Sequence, residues 1–173
     1  EDVSDAEILR GPVTTDIGQS QDNSVKFYYN PTYPYDWLNS RNNQLWNSGT
    51  EENPVKTDWD PCPSGWRVPT KAELNSLIQN YSKWTTDESG REGRWFSGSV
   101  PYSIYVPQIF FPGAGHREYD DGKAYYRGRY GRYWSSYADK DDASYLGYLY
   151  GSVGVSISSY HKAFGFSVRC VLE

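Results

Sequence analysis

Apolar residues spaced three and four positions apart predict one clear helix, from about residue 71 to 80. Its apolar face consists of Leu74, Leu77 and Ile78. Thr70 and Glu73 match the T-x-x-E capping box, in which each side chain satisfies an unpaired backbone N–H group. No second segment shows a helical pattern of equal quality.

Alternation of apolar and polar residues predicts strands in the C-terminal half. It is plainest at 153–158, where valine and isoleucine alternate with serine. The same period of two recurs at 146–150 and 164–170, and an earlier strand is expected to begin at Val25. Further short candidate strands are 104–106, 109–111 and 133–136. One or two short helices followed by a small antiparallel sheet with long loops make the predicted fold class α+β.

The chain divides into a leader and one domain. Residues 1–24 are polar, aperiodic and contain Gly-Pro, so we interpret them as a linker or edge segment of a longer protein. Residues 25–173 have the length of a single domain. Four prolines and many asparagines predict an irregular stretch at 30–61. Its tryptophans, which are expected to pin this stretch onto the core, are Trp37, Trp46 and Trp59.

Composition narrows the class of protein. Hydrophobic residues make up 37% and mean hydropathy is -0.80, but an aromatic content of 17% favours a folded chain over a disordered one. A net charge of -5 disfavours a nucleic-acid partner, which requires a basic surface. No apolar run is long enough to span a membrane. The chain contains no Met, so we expect a processed or excised piece.

Two cysteines, Cys62 and Cys170, lie far apart in a chain rich in Tyr, Ser, Gly and Asn. This usage favours one disulfide in an exported protein, and two buried free thiols in a cytosolic protein remain the alternative. The sequence has neither the C-x-x-C nor the H-x-x-x-H spacing of a metal site.

Motifs for catalysis and cofactors are weak. His116 and His161 are the only histidines, and the G-x-S-x-G motif is absent. His116 follows a glycine-rich turn and is expected to be a surface or hydrogen-bonded loop residue. The acidic loop at 139–142 offers oxygen ligands for calcium without the EF-hand pattern, so the expected cofactor is none, with calcium as an alternative. Arginine alternates with tyrosine at 126–133, where flanking acids favour a solvated mixed surface over a phosphate-binding one.

Tyrosine is concentrated in one region. Twelve of the seventeen tyrosines lie between 102 and 160, among Ser, Gly, Asp and Ala. Binding loops have this composition, although aromatic residues also enrich strands. We predict a recognition face made of the loop 137–145, two outward strand positions and the turn at 158–161. Its residues are Tyr137, Asp139, Lys140, Asp141, Asp142, Tyr145, Tyr148, Tyr150, Ser158, Tyr160 and His161.

Several strings resemble the Fibrobacter succinogenes major paralogous (FISUMP) domain family. The most specific is DPCPSGWRVPT at 60–70, followed by Glu73 and Leu74. The other matching strings, in the same order and spacing, are 111–117, 133–136 and 165–171. The resemblance covers about 36–173.

The resemblance implies a C-type-lectin-like fold, in which helices support a small sheet and long loops form one binding face. It also implies an exported module of surface lipoproteins or fimbrial tips of Bacteroides-type bacteria, with Cys62 bonded to Cys170. The calcium-dependent sugar motifs of lectins (Glu-Pro-Asn, Gln-Pro-Asp and Trp-Asn-Asp) are absent. The stretch 122–170 resembles the variable region of proteins diversified by retroelements.

These observations predict an extracellular ligand-binding or adhesin module at the bacterial cell surface rather than an enzyme. Its expected partner is a host or microbial glycan or surface protein, with no nucleic acid and no membrane span. Trp66, Trp134 and Phe166 are expected in the core. Two alternatives remain: a structural pilin subunit that contacts other fimbrial subunits, and a glycan-active enzyme with two carboxylates about 5–10 Å apart.

Overall fold

The computed structural model describes residues 7–13, 26–79, 81–98, 108–150 and 154–173. The single helix of this part is α1 (Lys71–Ile78). The strands are β1 (Glu7–Arg10), β2 (Lys26–Tyr29), β3 (Trp66–Arg67), β4 (Tyr81–Thr86), β5 (Glu92–Ser97), β6 (Gln108–Pro112), β7 (His116–Arg117), β8 (Ala124–Tyr125), β9 (Tyr130–Asp139), β10 (Asp142–Leu149), β11 (Val155–His161) and β12 (Val171–Leu172). The predicted strand at 104–106 and most of the 1–24 leader lie outside the described residues.

The described residues form five small sheets. Strands β9, β10 and β11 form an antiparallel sheet in the order β11–β10–β9, and β4, β5 and β6 form a second. The pairs β3–β12 and β7–β8 are antiparallel, whereas β1–β2 is parallel. Strand β1, in the described part of the 1–24 segment, therefore pairs with β2 of its own chain.

The sheet β9–β10–β11 carries a core on each face. On one face, side chains of β9 and β10 meet α1 and the second sheet. That core consists of Leu74, Phe96, Phe111, Tyr133, Leu146 and Tyr148. On the other face, the same two strands meet the chain segment that follows β11. That core consists of Trp134, Tyr145, Phe164 and Phe166.

The α+β, C-type-lectin-like prediction is wrong, because the fold is mostly β: 46% of the described residues are strand and 6% are helical. Strands β4 and β5 form a hairpin whose Trp84 and Phe96 join the same core as Leu74 of α1. Its turn is closed by the Asp87 carboxylate, which accepts the backbone N–H groups of Ser89 and Arg91 at 2.9 Å each. Gly90 at φ +82° supplies the left-handed position that the turn requires.

The predicted helix and its cap are confirmed. Thr70 accepts the backbone N–H of Glu73, and Glu73 accepts the backbone N–H of Thr70 at 2.8 Å. Arg67 donates to both carboxylate oxygens of Glu73, at 2.7 and 2.6 Å. This contact, together with the Thr70 N–H, lowers the pKa of Glu73 below its usual range despite partial burial.

The DPCPSGWRVPT string folds around the buried carboxylate of Asp60. One Asp60 oxygen accepts the Cys62 backbone N–H and the Lys56 ammonium, each at 2.8 Å, and the other accepts the Val68 backbone N–H at 2.8 Å. Gly65 turns the chain at φ +77°. The strong motif is thus explained by folding rather than by chemistry on a ligand.

Cys62 and Cys170 form a disulfide with their Cα atoms 5.9 Å apart, which confirms the predicted bridge. It lies beside the β3–β12 pair, where Val171 is opposite Arg67. The bridged cysteines are 108 residues apart, and closing such a loop stabilises the folded state by roughly 4–5 kcal/mol in the chain-entropy model.

The core predictions have mixed outcomes. Trp134 and Phe166 are buried, and their rings stack with centroids 4.1 Å apart. Trp66 is 41% exposed, so its assignment to the core is wrong. It lies on the two-residue strand β3, opposite Leu172 of β12, which is even more exposed, so this small sheet covers Trp66 only in part.

Replacing Asp60 by Asn tests whether the Asp60 carboxylate stabilises this segment. The amide keeps the shape of the side chain but turns one acceptor into a donor that faces a backbone N–H. We expect the free energy of unfolding to fall by about 2–4 kcal/mol, because a buried N–H loses its acceptor and Lys56 loses its counter-charge. Urea unfolding measures the loss. The exposed Asp58→Asn is the matched control. Equal unfolding midpoints for the two variants would contradict the stabilising role of Asp60.

The burial of Tyr133 and Tyr148 predicts that the folded state loses stability at alkaline pH. Burial raises the pKa of Tyr133 to about 12 and that of Tyr148 further. Unfolded tyrosines lose their protons near pH 10, so between about pH 10 and 12 the unfolded chain binds fewer protons and stability falls as pH rises. Tyr148→Phe should flatten this fall and cost about 1–2 kcal/mol at neutral pH, from its lost hydrogen bonds.

Urea midpoints at pH 8, 10 and 11 measure this effect, with the exposed Tyr150→Phe as the control. The same pH slope in wild type and in Tyr148→Phe would show that the Tyr148 proton is not linked to folding.

Candidate functional site

One end of the β9–β10–β11 sheet gathers most of the predicted recognition face. The β9–β10 turn holds Asp139, Lys140, Asp141 and Asp142, and its last residue pairs with His161 at the end of β11. Lys140 has φ +48°, the left-handed conformation of a tight hairpin turn. Antiparallel pairing therefore brings the predicted acidic loop and the predicted 158–161 turn together.

The acidic turn is bound to the irregular segment of the N-terminal half. The Asp141 carboxylate accepts the Tyr33 hydroxyl at 3.1 Å and lies 2.7 Å from the Arg41 guanidinium. Asp142 lies 3.0 Å from His161 Nδ1. These contacts fix the position of the turn, because Asp141 and Asp142 are bound to other residues of the protein.

A cluster of rings backs this end of the sheet. The His161 ring lies 4.5 Å from that of Tyr35 and 5.3 Å from that of Tyr119. Tyr160 packs edge-on against Phe164 at 4.5 Å while keeping 38% of its surface exposed. Tyr160 and His161 are therefore partly exposed residues with a rigid aromatic backing, as anchors in binding surfaces usually are.

Beside this turn lies a cleft with a volume of about 860 Å³. Its apolar lining combines the tryptophans of the irregular segment with side chains of the second core. These are Trp37, Trp46, Trp59, Trp134, Phe164 and Phe166. Its polar lining includes Asn42, Asn43, Asp58, Ser136, Tyr137 and Lys162. A concave aromatic surface with a few convergent polar groups is the usual form of a small-ligand site.

A buried ion pair fixes one part of the cleft. The Lys162 ammonium lies 3.5 Å from an Asp36 carboxylate oxygen and donates to Asn43 Oδ1 at 2.6 Å and to the Lys140 carbonyl at 2.7 Å. Burial raises the pKa of Asp36, and the Leu38 N–H and the Lys162 ammonium oppose that rise. Lys162 thus links the irregular segment, the hairpin turn and the cleft.

Four predicted residues have other positions. Tyr145 and Tyr148 are buried, 8% and 5% exposed, so the prediction that they face outward is wrong. They enter opposite cores of the sheet. Tyr150 is 59% exposed but lies at the far end of β10, against Trp84. Ser158 is exposed on β11, and its partner across the sheet is Tyr145.

Tyr137 is 38% exposed and lines the cleft, with Lys71 Nζ 5.1 Å from its ring centroid. Sequence reasoning missed the rest of this cleft. It expected Trp37, Trp46 and Trp59 to pin the irregular stretch onto the core. In the structure each is partly buried, and Trp46 packs against the second core. Tryptophans placed in an asparagine-rich irregular stretch were the available signal.

Within the described ranges, no three His, Cys, Asp or Glu side chains come together as a metal-binding group. The expectation of no cofactor, with calcium at 139–142 as the alternative, stays a prediction. The described part of the chain likewise contains no helix of the length and apolarity that crossing a bilayer requires.

Comparison with known proteins gives one partial match. No curated protein and no solved structure matches the chain. A family model described as a domain of unknown function (DUF8237) matches residues 94–171, from β5 to β12, and so includes both the acidic turn and the 158–161 turn of the candidate site.

Proposed function

We propose that this protein is an extracellular glycan-binding module, and that the cleft with its rim is the binding site. The observation that carries the proposal is the cleft itself, which combines tryptophan faces with amide, carboxylate, hydroxyl and ammonium groups. Sugar rings present both apolar C–H surfaces and hydroxyl groups, and such a lining meets both needs.

Contacts between chain segments around the cleft opening make the proposed site preorganised. The ties from Tyr33 and Arg41 to Asp141, and from Lys162 to Lys140, hold three chain segments around one opening. A ligand then meets a surface whose ordering cost is already met by folding. Tyr137 supplies a partly exposed ring within the cleft lining.

The cellular location is part of the proposal. A disulfide that joins distant segments is typical of oxidising compartments, and the FISUMP resemblance points to a bacterial cell-surface protein. The assembly-subunit alternative stays a prediction. The feature that favours it is β11, whose outer edge has no partner strand among the described residues.

Binding to arrayed glycans, followed by titration with tryptophan fluorescence, tests the function. Ligand entry should change the emission, because four tryptophans line the cleft. Tyr137→Ala should weaken binding at least about tenfold, as expected for an aromatic contact residue. Tyr150→Ala, an exposed tyrosine at the far end of the sheet, is the matched control and should bind within about twofold of wild type.

Two outcomes would refute the proposed site or ligand class. Equal affinity of wild type and Tyr137→Ala, with Tyr150→Ala weakened, would move the site to the other end of the sheet. Absence of glycan binding, together with Tyr137-dependent capture of a surface protein, would replace the glycan by a protein ligand.

A further inference from the structure

Arg132, on β9, lies among aromatic rings. Its guanidinium carbon is 5.2–5.7 Å from the centroids of four rings. These rings belong to Tyr130, Tyr145, Tyr160 and Phe166. Contacts of this kind hold the cation in place through its planar faces and leave its N–H donors at the edge.

Those donors have no protein acceptor in the described part of the chain. Other arginines of the protein do pair with carboxylates: Arg41 with Asp141, and Arg91 with Asp87, each at 2.7 Å. The chain has 22 acidic residues for 17 basic ones. Arg132 thus differs from these arginines: aromatic rings fix its position, and it has no carboxylate partner among the described residues.

The charge of Arg132 acts on its surroundings without being neutralised there. His116 is buried behind Arg132, with its ring 5.8 Å from that of Phe166. Burial and then the Arg132 charge lower the pKa of His116, while Glu118 opposes this effect. The Glu118 carboxylate lies 2.9 Å from His116 Nε2, so it is directed at the histidine.

The outer side of this site is open. Across the sheet, Arg132 pairs with Gly147, and Gly147 pairs with Ser156. This row therefore contains a cation, a glycine covered by the Tyr145 ring and an exposed hydroxyl. Tyr126, whose ring is 4.6 Å from that of Tyr130, is 49% exposed. Tyr160 borders the other side with 38% exposure.

We propose that Arg132 is the anion-recognition residue of a second binding site, which takes a carboxylate carried on a sugar ring, such as a uronic or sialic acid. The guanidinium fork matches the two oxygens of a carboxylate. Tyr126, Tyr130 and Tyr160 offer apolar area to the ring that carries it, and Ser156 offers a hydroxyl. Arg132 does not line the cleft, so this site is independent of the glycan site proposed above.

Calorimetry with two acidic probes, trigalacturonate and sialyllactose, tests the proposal. Galactotriose and lactose are the neutral partners of these probes, and inorganic sulfate is the bare anion. We expect at least one acidic probe to bind at least about tenfold more tightly than its neutral partner and than sulfate. Arg132→Gln should lose at least about tenfold. Arg132→Lys should lose less, because it keeps the charge without the fork.

Arg129→Gln is the matched control, since Arg129 is an exposed arginine next to β9 and makes none of the ring contacts. It should bind within about twofold of wild type. Circular dichroism checks folding, and Arg132→Lys replaces Arg132→Gln in the comparison if the latter unfolds. Tyr137→Ala should leave acidic-probe binding unchanged, which separates this site from the cleft.

Three results would overturn the proposal. One is equal binding of acidic and neutral probes, or no binding of either acidic probe. Another is wild-type affinity in the Arg132 variants. The last is sulfate binding as tight as that of the acidic sugars, which would indicate a simple anion site with no role for the rings.

Discussion

The structure depends on the burial of both faces of one small sheet. Successive residues of a strand point to opposite faces, so Tyr133 and Trp134, adjacent on β9, enter different cores. Leu146 and Tyr145 do the same on β10. The first core needs α1 and a second sheet to cover it, and the second needs the chain to return after β11. That return places Lys162 beside the hairpin turn and thereby forms the cleft.

Tyrosine makes two cores possible in a chain of low hydrophobic content, provided that each buried hydroxyl finds an acceptor. Tyr148 donates to the Phe111 carbonyl at 2.6 Å, and Tyr133 donates to the Pro112 carbonyl at 2.6 Å. Both acceptors lie at the end of β6. The same rings that fill the first core therefore tie the second sheet to the central one, and a phenylalanine at either position would supply area without this tie.

Features set by residues close in sequence were predictable, whereas features set by contacts between strands were not. The capping box at Thr70 and the alternation in β11 involve neighbours in sequence, and the structure has both. Whether Tyr148 or Tyr150 points inward depends on Gly131, a strand away: a Cβ there would overlap the Tyr148 ring, so the glycine makes room for it. The grouping of the acidic turn with residues 158–161 follows from hairpin pairing. The cleft does not, because it requires contacts such as that from Lys162 to Asn43, which are 119 residues apart.

The contacts of the acidic turn change what its charges can do. The recognition face predicted from the sequence includes Asp139, Lys140, Asp141 and Asp142. In the structure, Asp141 and Asp142 are already held by Arg41, Tyr33 and His161, so a ligand could recruit them only by breaking those pairs. Each partly exposed pair contributes little to stability alone, but together they fix the position of the loop. In the proposed site, these acids therefore set the shape of the cleft opening, and the contacts that discriminate between ligands would come from the aromatic and amide groups inside it.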